Sequence, residues 1–212
     1  AIKLSKGLAQ CGCAVFLLTS NPLVSANHMR VITVPRLFAK REVSPIAYSA
    51  ISKYARKKYG IDMIHGHGYT IIDDVTTVHF LRKAFECRAR ESAASINFPR
   101  SEHIFEEIAL KSSRHLIAPS RMVKEDLMRF YDVREDKVST IHNGVDIDEF
   151  TVPSPETKAE ARARLGLDDE AIYIGFVGPA VSKGLDQLIC SLPKVRSDAR
   201  VLAVNIHETE QM

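Results

Sequence analysis

Short β-branched and apolar runs alternate along this chain with longer stretches of helical period, and this alternation constrains the fold more than any other feature. The runs at 14–18, 31–34, 62–65, 75–79, 115–118, 138–141, 171–177 and 200–204 are nearly continuous in hydrophobic residues. Strands of that kind are buried on both faces, as in a parallel sheet covered by helices, so the expected class is α/β with Rossmann-like parallel sheets. Helices are expected between the runs. Ser44-Pro45 opens one over 44–59, and another spans 101–111 with Ile104, Phe105 and Ile108 on one side. A third, capped by Ser120, runs over 121–131 and sets Val123, Leu127, Phe130 and Tyr131 on one face.

The period breaks after Phe150, where Thr151-Val152-Pro153-Ser154-Pro155 reads as a linker. Residues 1–150 therefore form the expected first domain, and 151–170 hold the linker and a connecting helix over 156–165 closed by Gly166. Residues 171–212 carry one strand, a helix over 184–195 and a second strand, fewer than the ~50 residues a domain needs around its own core. An incomplete second Rossmann-like domain is expected there. At the other end, Ile2, Leu4 and Leu8 read as the later half of an amphipathic helix, which implies a truncated start with the first strand missing.

Charge and cysteine content narrow the function by exclusion. Twenty-nine Lys and Arg against twenty-six Asp and Glu leave a net charge of +3, too little for a protein held to nucleic acid by charge, so no nucleic-acid partner is expected. Cys11, Cys13, Cys87 and Cys190 show no repeated C-x-x-C spacing, which argues against a disulfide framework or a zinc ribbon and for the reduced thiols of a cytoplasmic protein. No apolar run reaches the ~18 residues of a bilayer span.

Ligands of open parallel sheets bind beyond the carboxyl ends of the strands, so the loops there are the candidate sites. Gly66, His67 and Gly68 follow one strand, His79 ends the next, and Asn143-Gly144 follow the strand at 138–141. Gly178, Lys183 and Gly184 lie between the strand and helix of the second domain. There a glycine would let backbone approach a phosphate, a lysine would supply a point charge, and a helix N-terminus would add its N–H groups.

Three rival readings of these loops are weaker. His65, His67 and His79 could ligate zinc, but no Asp, Glu or Cys completes the set, so no metal is expected. Gly66-His67-Gly68 imitates a dinucleotide fingerprint, yet Ile71 occupies the place of its third glycine. Asp146-Ile147-Asp148 has the spacing of a metal-binding Asp-x-Asp, but it follows a turn dipeptide and reads as solvated turn carboxylates.

The serial order of these fragments resembles the retaining nucleotide-sugar glycosyltransferases of family 4, which have the GT-B architecture of two Rossmann-like domains. The resemblance lies in Asp62-Met-Ile-His-Gly-His-Gly68, Thr77-Val-His79, Glu107-Ile-Ala-Leu with Arg114-His-Leu-Ile-Ala-Pro-Ser120, Val138-Ser-Thr-Ile-His-Asn-Gly-Val-Asp146 with Phe150, and Ile174-Gly-Phe-Val-Gly178 with Lys183-Gly184. It implies transfer of a sugar from a UDP-, GDP- or ADP-sugar donor to a glycan, lipid-linked or small-molecule acceptor, with no cofactor or metal. His79 matches the family histidine that faces the donor sugar, and is the expected catalytic residue. Gly178, Lys183 and Gly184 match the donor-binding loop, while Gly66, His67, Gly68, Asn143 and Gly144 match the cleft wall.

Two residues depart from the family pattern. Phe80 stands where a Gly or Asp commonly follows the histidine, and Pro179 where an arginine is expected on the diphosphate. The segments that complete the family's donor site lie beyond both ends of the sequence, so the span alone is expected to be inactive. A non-catalytic or degenerate glycosyltransferase-like subunit is the alternative, followed by another Rossmann-type enzyme such as a dehydrogenase or epimerase. Arg36, Lys40, Arg41, Lys53, Arg56, Lys57 and Lys58 make 36–58 basic. Because many members of the family glycosylate envelope lipids and polysaccharides, peripheral contact with the inner face of a membrane is a further expectation.

Overall fold

A computed structural model describes residues 2–20, 29–35, 44–68, 70–91, 96–178, 183–195 and 199–204 of the chain. Pro179 and the basic residues Arg36, Lys40 and Arg41 lie outside the described residues. The chain divides into two compact units, 1–144 and 145–212.

The first unit follows the βα pattern. Helix α1 (Ile2–Gln10) leads to β1 (Phe16–Thr19), which pairs in parallel with β2 (Arg30–Thr33). After α2 (Ser44–Tyr59) come β3 (His65–Gly66), β4 (Val75–Thr77), β5 (His115–Ala118) and β6 (Val138–Thr140), hydrogen-bonded in that order as a parallel four-stranded sheet. Between β4 and β5 run α3 (Arg82–Glu91) and α4 (Arg100–Ser112), and α5 (Arg121–Tyr131) joins β5 to β6. The class is thus the α/β parallel-sheet type expected.

The core lies between this sheet and its helices. Val78, Leu81, Ala84, Leu110, Leu116, Ala118, Leu127, Tyr131, Val133 and Val138 form one buried cluster, with Val123 and Phe130 packed against it. Helix α5 presents the expected face, and the Ser120 hydroxyl accepts from the Val123 N–H at its start. Its chain reversal is made by Asp132 in the left-handed region, φ 52° and ψ 38°.

The sheet and α4 also correct the expectation from sequence. Ile104 and Ile108 are 49% and 42% exposed, whereas Glu106, Ala109 and Leu110 face the core. The isoleucines of α4 do not mark its inner face, because one of the buried positions is a carboxylate. Strand β3 is confined to His65–Gly66 rather than 62–65, since the Ile64 N–H is taken by the Asp74 side chain at 2.8 Å. Helix α3 was not expected from the sequence at all.

In the second unit, α6 (Pro155–Leu165) starts at Ser154, whose hydroxyl accepts from Thr157 N–H, and ends at Gly166 with φ 64°. Strands β7 (Ile172–Val177) and β8 (Ala199–Val204) pair in parallel around α7 (Leu185–Ser191). Helix α7 is shorter than the 184–195 expected, because a tight turn takes over at Leu192–Lys194, where Pro193 has no N–H to continue the helix. Of the β7 side chains only Phe176 is buried, so two-sided burial of that strand is not met among the described residues.

Candidate functional site

The carboxyl ends of β3 and β4 bring most of the first-domain candidates together. These strands are neighbours, with His65 opposite Val75 and Gly66 opposite Thr76. His67 and Gly68 therefore leave the sheet beside the segment carrying His79. Val78 and Leu81 turn into the core, while His79 and Phe80 are exposed.

Gly66 is fixed by what lies beneath it. A Cβ built there would sit 1.9 Å from Oδ2 and 2.6 Å from Cγ of Asp73, a carboxylate only 3% exposed. The Asp73 Oδ2 accepts hydrogen bonds from the hydroxyls of Thr70 and Thr76, and Thr76 is joined in turn to Ser113 at 2.6 Å. Burial raises the Asp73 pKa, with those hydroxyls pulling the other way. The missing side chain at Gly66 thus makes room for a buried acid. Gly68, by contrast, has open space where a side chain would go.

Three histidines stack in a file above this floor. The rings of His65 and His67 lie 4.6 Å apart at 20°, and those of His67 and His79 lie 5.7 Å apart at 13°. At one end His65 Nε2 meets Thr77 Oγ1 at 2.8 Å, and at the other His67 Nδ1 meets His79 Nε2 at 3.4 Å. Burial lowers the His65 pKa. Burial, followed by the charge of His65, brings His67 down to about 4, so the middle ring is neutral at physiological pH. The His65 and His67 rings are stacked, whereas His67 and His79, nearly parallel, meet edge to edge through their nitrogens. Among the described residues no three His, Cys, Asp or Glu side chains gather in a way that could hold a metal ion.

The segment that bears His79 is tied down on its far side by residues that sequence reasoning did not single out. Glu106, fully buried, accepts from the Arg82 N–H at 3.1 Å and from Arg82 Nη1 at 3.2 Å, while Arg82 Nε reaches Glu102 at 2.8 Å. The Tyr131 hydroxyl donates to Glu106 and accepts from the Lys83 N–H at 3.1 Å. The first amides of α3 are therefore capped by side chains from α4 and α5, the partners that unsatisfied helix-start donors require. Burial and the Glu106 carboxylate hold the Tyr131 phenol above its ordinary range. Glu106 stands beside the Glu107 of the family-like segment, but no local pattern distinguishes a buried carboxylate from a solvated one. Next to the capped end, Phe80, Phe85 and Phe98 pack with centroids 5.1 to 6.2 Å apart.

Asn143 and Gly144 follow β6 and are exposed, and the structure brings no other candidate to them among the described contacts. Just beyond, Asp146 Oδ1 accepts from the N–H groups of Asp148 and Glu149, both at 3.2 Å. That is a turn held by its own aspartate, which agrees with reading the Asp-x-Asp triplet as structural.

Within the second unit, Gly178 ends β7 at φ 118° and donates its N–H to the Val204 carbonyl at 3.0 Å. Lys183 folds back over it, its Cγ 3.1 Å from where a Cβ would stand. Gly184, at φ 77°, is the N-cap of α7. Backbone freedom and a cation are thus adjacent, the combination an anionic group requires.

The comparisons with known proteins bear on the family and the fold. The sequence pattern of Glycosyltransferase Family 4 matches residues 1–149. A D-inositol 3-phosphate glycosyltransferase of Xylanimonas cellulosilytica is 30% identical over 136 residues, covering 62% of this chain and 33% of the relative. An uncharacterized glycosyltransferase of Methanocaldococcus jannaschii is 34% identical over 95 residues, 44% of this chain and 24% of its own. This chain spans a quarter to a third of the length of such curated relatives. Among solved structures, WaaG, a glycosyltransferase involved in lipopolysaccharide biosynthesis, superposes with a TM-score of 0.75 at 15% identity over 95% of this chain and 58% of that one. Sucrose-phosphate synthase from Thermosynechococcus elongatus also reaches 0.75, at 19% identity over 99% of this chain and 57% of that one. At such identities the structural likeness speaks for the fold, which is that of GT-B glycosyltransferases.

Proposed function

The chain belongs to glycosyltransferase family 4, and from that premise we propose that the protein carrying it moves a hexosyl unit from a UDP-, GDP- or ADP-sugar to a glycan, lipid-linked or small-molecule acceptor. The observation that carries the reading is His79: an exposed imidazole at the carboxyl end of β4, inside the family-matched stretch, with its loop anchored on both sides. It serves as the hydrogen-bonding partner of the donor sugar. Cleavage of the glycosyl–phosphate bond leaves negative charge on a nucleoside diphosphate, and that charge must be met in the transition state. The Lys183 ammonium beside Gly178 supplies the counter-charge in this reading, without a metal ion. Asn143, Gly144, His67 and Gly68 act as wall residues.

The test is sugar transfer by the full-length protein, assayed with labelled UDP-, GDP- and ADP-sugars in the presence of EDTA. His79→Ala and Lys183→Ala should each lower kcat/KM by roughly a hundredfold, the size of a lost transition-state contact. Undiminished transfer in both variants overturns the assignment.

The reading extends to a cytoplasmic enzyme that touches the inner face of a membrane. Helix α2 supports it, carrying Lys53, Lys57 and Lys58 together with Tyr54 and Ile46, which are 62% and 54% exposed. Anionic headgroups attract such a face by about 1 kcal/mol per basic residue. No helix among the described residues is long and apolar enough to cross a membrane. Co-sedimentation with vesicles should rise with phosphatidylglycerol content and fall when the three lysines become glutamine; binding that ignores lipid charge removes this part of the proposal.

A further inference from the structure

The geometry points to His67 as a positioning residue that fixes the tautomer of His79, so that His79 offers its Nδ1 lone pair to a hydroxyl of the sugar donor. The inference rests on the function proposed above, and deepens the role of His79 in it. A single nitrogen–nitrogen contact of 3.4 Å joins His67 Nδ1 to His79 Nε2. Such a contact needs one proton between two nitrogens, and the proton can come from either ring.

Two facts select the arrangement. Burial, followed by the charge of His65, keeps His67 neutral, with a pKa of about 4, so it carries one N–H and one bare nitrogen. Imidazole side chains place that single proton by preference on Nε2. His67 then has a bare Nδ1, which accepts, and His79 has its proton on Nε2, which donates. Both rings thereby adopt their favoured tautomer at once. The consequence lands on the opposite edge of His79, where Nδ1 is left as an acceptor for a donor O–H.

The file is braced so that this contact persists. His65, stacked on His67 at 4.6 Å, is held by Thr77 Oγ1, and Thr77 belongs to the same strand end as His79. The chain from Thr77 through His65 and His67 back to His79 closes on itself across two adjacent strands. His65 and Gly66 are themselves paired with Val75 and Thr76 in the parallel ladder, which holds the start of the file against the strand that leads to His79. A ring that merely packed would need no nitrogen at that position, and this is what a substitution can distinguish.

The experiment uses the full-length protein labelled with ¹⁵N-histidine, observed by long-range proton–nitrogen correlation near neutral pH with no donor present, alongside steady-state kinetics. Wild type should show His79 with Nε2 protonated and Nδ1 bare. His67→Phe keeps a ring stacked on His65 but removes the acceptor facing His79, so the His79 signals should move toward a mixture of tautomers. In the same variant kcat should fall about tenfold, the worth of one hydrogen bond, with the donor KM within about twofold. His67→Asn returns an acceptor oxygen near the lost nitrogen and should recover most of kcat. Unchanged His79 signals in His67→Phe overturn the inference, as does full kcat in that variant. A wild-type protein that transfers no sugar overturns the proposed activity instead, while the tautomer comparison still decides the role of His67.

Discussion

A side chain on Gly66 would collide with the carboxylate of Asp73, since its Cβ would stand 1.9 Å from Oδ2. Asp73 is short, buried and held by two threonine hydroxyls, so it cannot swing aside at little cost. Gly66→Ala should destabilise the protein by about 1–3 kcal/mol, as overpacked sites do. Gly68→Ala, with open space around it, should stay within about 0.5 kcal/mol of wild type. Urea unfolding of both variants, with Asp73→Ala added to Gly66→Ala to restore stability, checks the assignment of the clash.

The Glu106–Tyr131 pair should be costly to break from either side. Tyr131→Phe strips the Lys83 N–H of its acceptor and Glu106 of a donor, for a loss of about 1–3 kcal/mol. Glu106→Ala leaves the Arg82 guanidinium and amide without their buried partner and should cost about 3–5 kcal/mol. Denaturant midpoints at constant slope will show whether these losses are of stability alone.

Acid should weaken the first unit through His67. Its folded pKa, about 4, lies below the ordinary 6.5, so the unfolded chain binds more protons in the interval between them. The stabilising contribution of the neutral ring is complete above 6.5 and is lost as pH falls toward about 4. Melting temperatures measured across this interval should decline less steeply for His67→Phe than for wild type. Equal slopes would mean that His67 titrates normally.

Asp132 offers a gain instead. It ends α5 in the left-handed region at φ 52°, a conformation that a Cβ disfavours. Asp132→Gly should raise stability by a few tenths to about 1 kcal/mol, visible as a higher urea midpoint. A loss would show that its carboxylate has a use the backbone does not explain.

The fold was legible where burial is apolar and the site only where a motif is contiguous. Helix α5 could be read in advance because Leu127, Tyr131, Val123 and Phe130 supply an unmixed apolar face behind a serine cap. Helix α3 could not. Its inward positions are Ala84, Glu86 and Ala89, and Glu86 is satisfied by the Phe98 N–H at 2.6 Å and His103 at 3.0 Å, contacts no periodicity encodes. The same blindness turned α4 the wrong way, since Glu106 faces inward while Ile104 and Ile108 do not. His79 and its glycine–histidine neighbours were legible as strand-end residues, but the file of three rings depends on the lateral pairing of β3 with β4, which the linear order leaves open.

Between Val78 and Leu81, both sunk in the core, only His79 and Phe80 reach the outside. The ladder fixes one end of this short span and the amides capped by Glu106 and Tyr131 fix the other. Change at either anchor therefore disturbs the histidine beside it, and change at Phe80 must also be absorbed by Phe85 and Phe98, on which its ring packs.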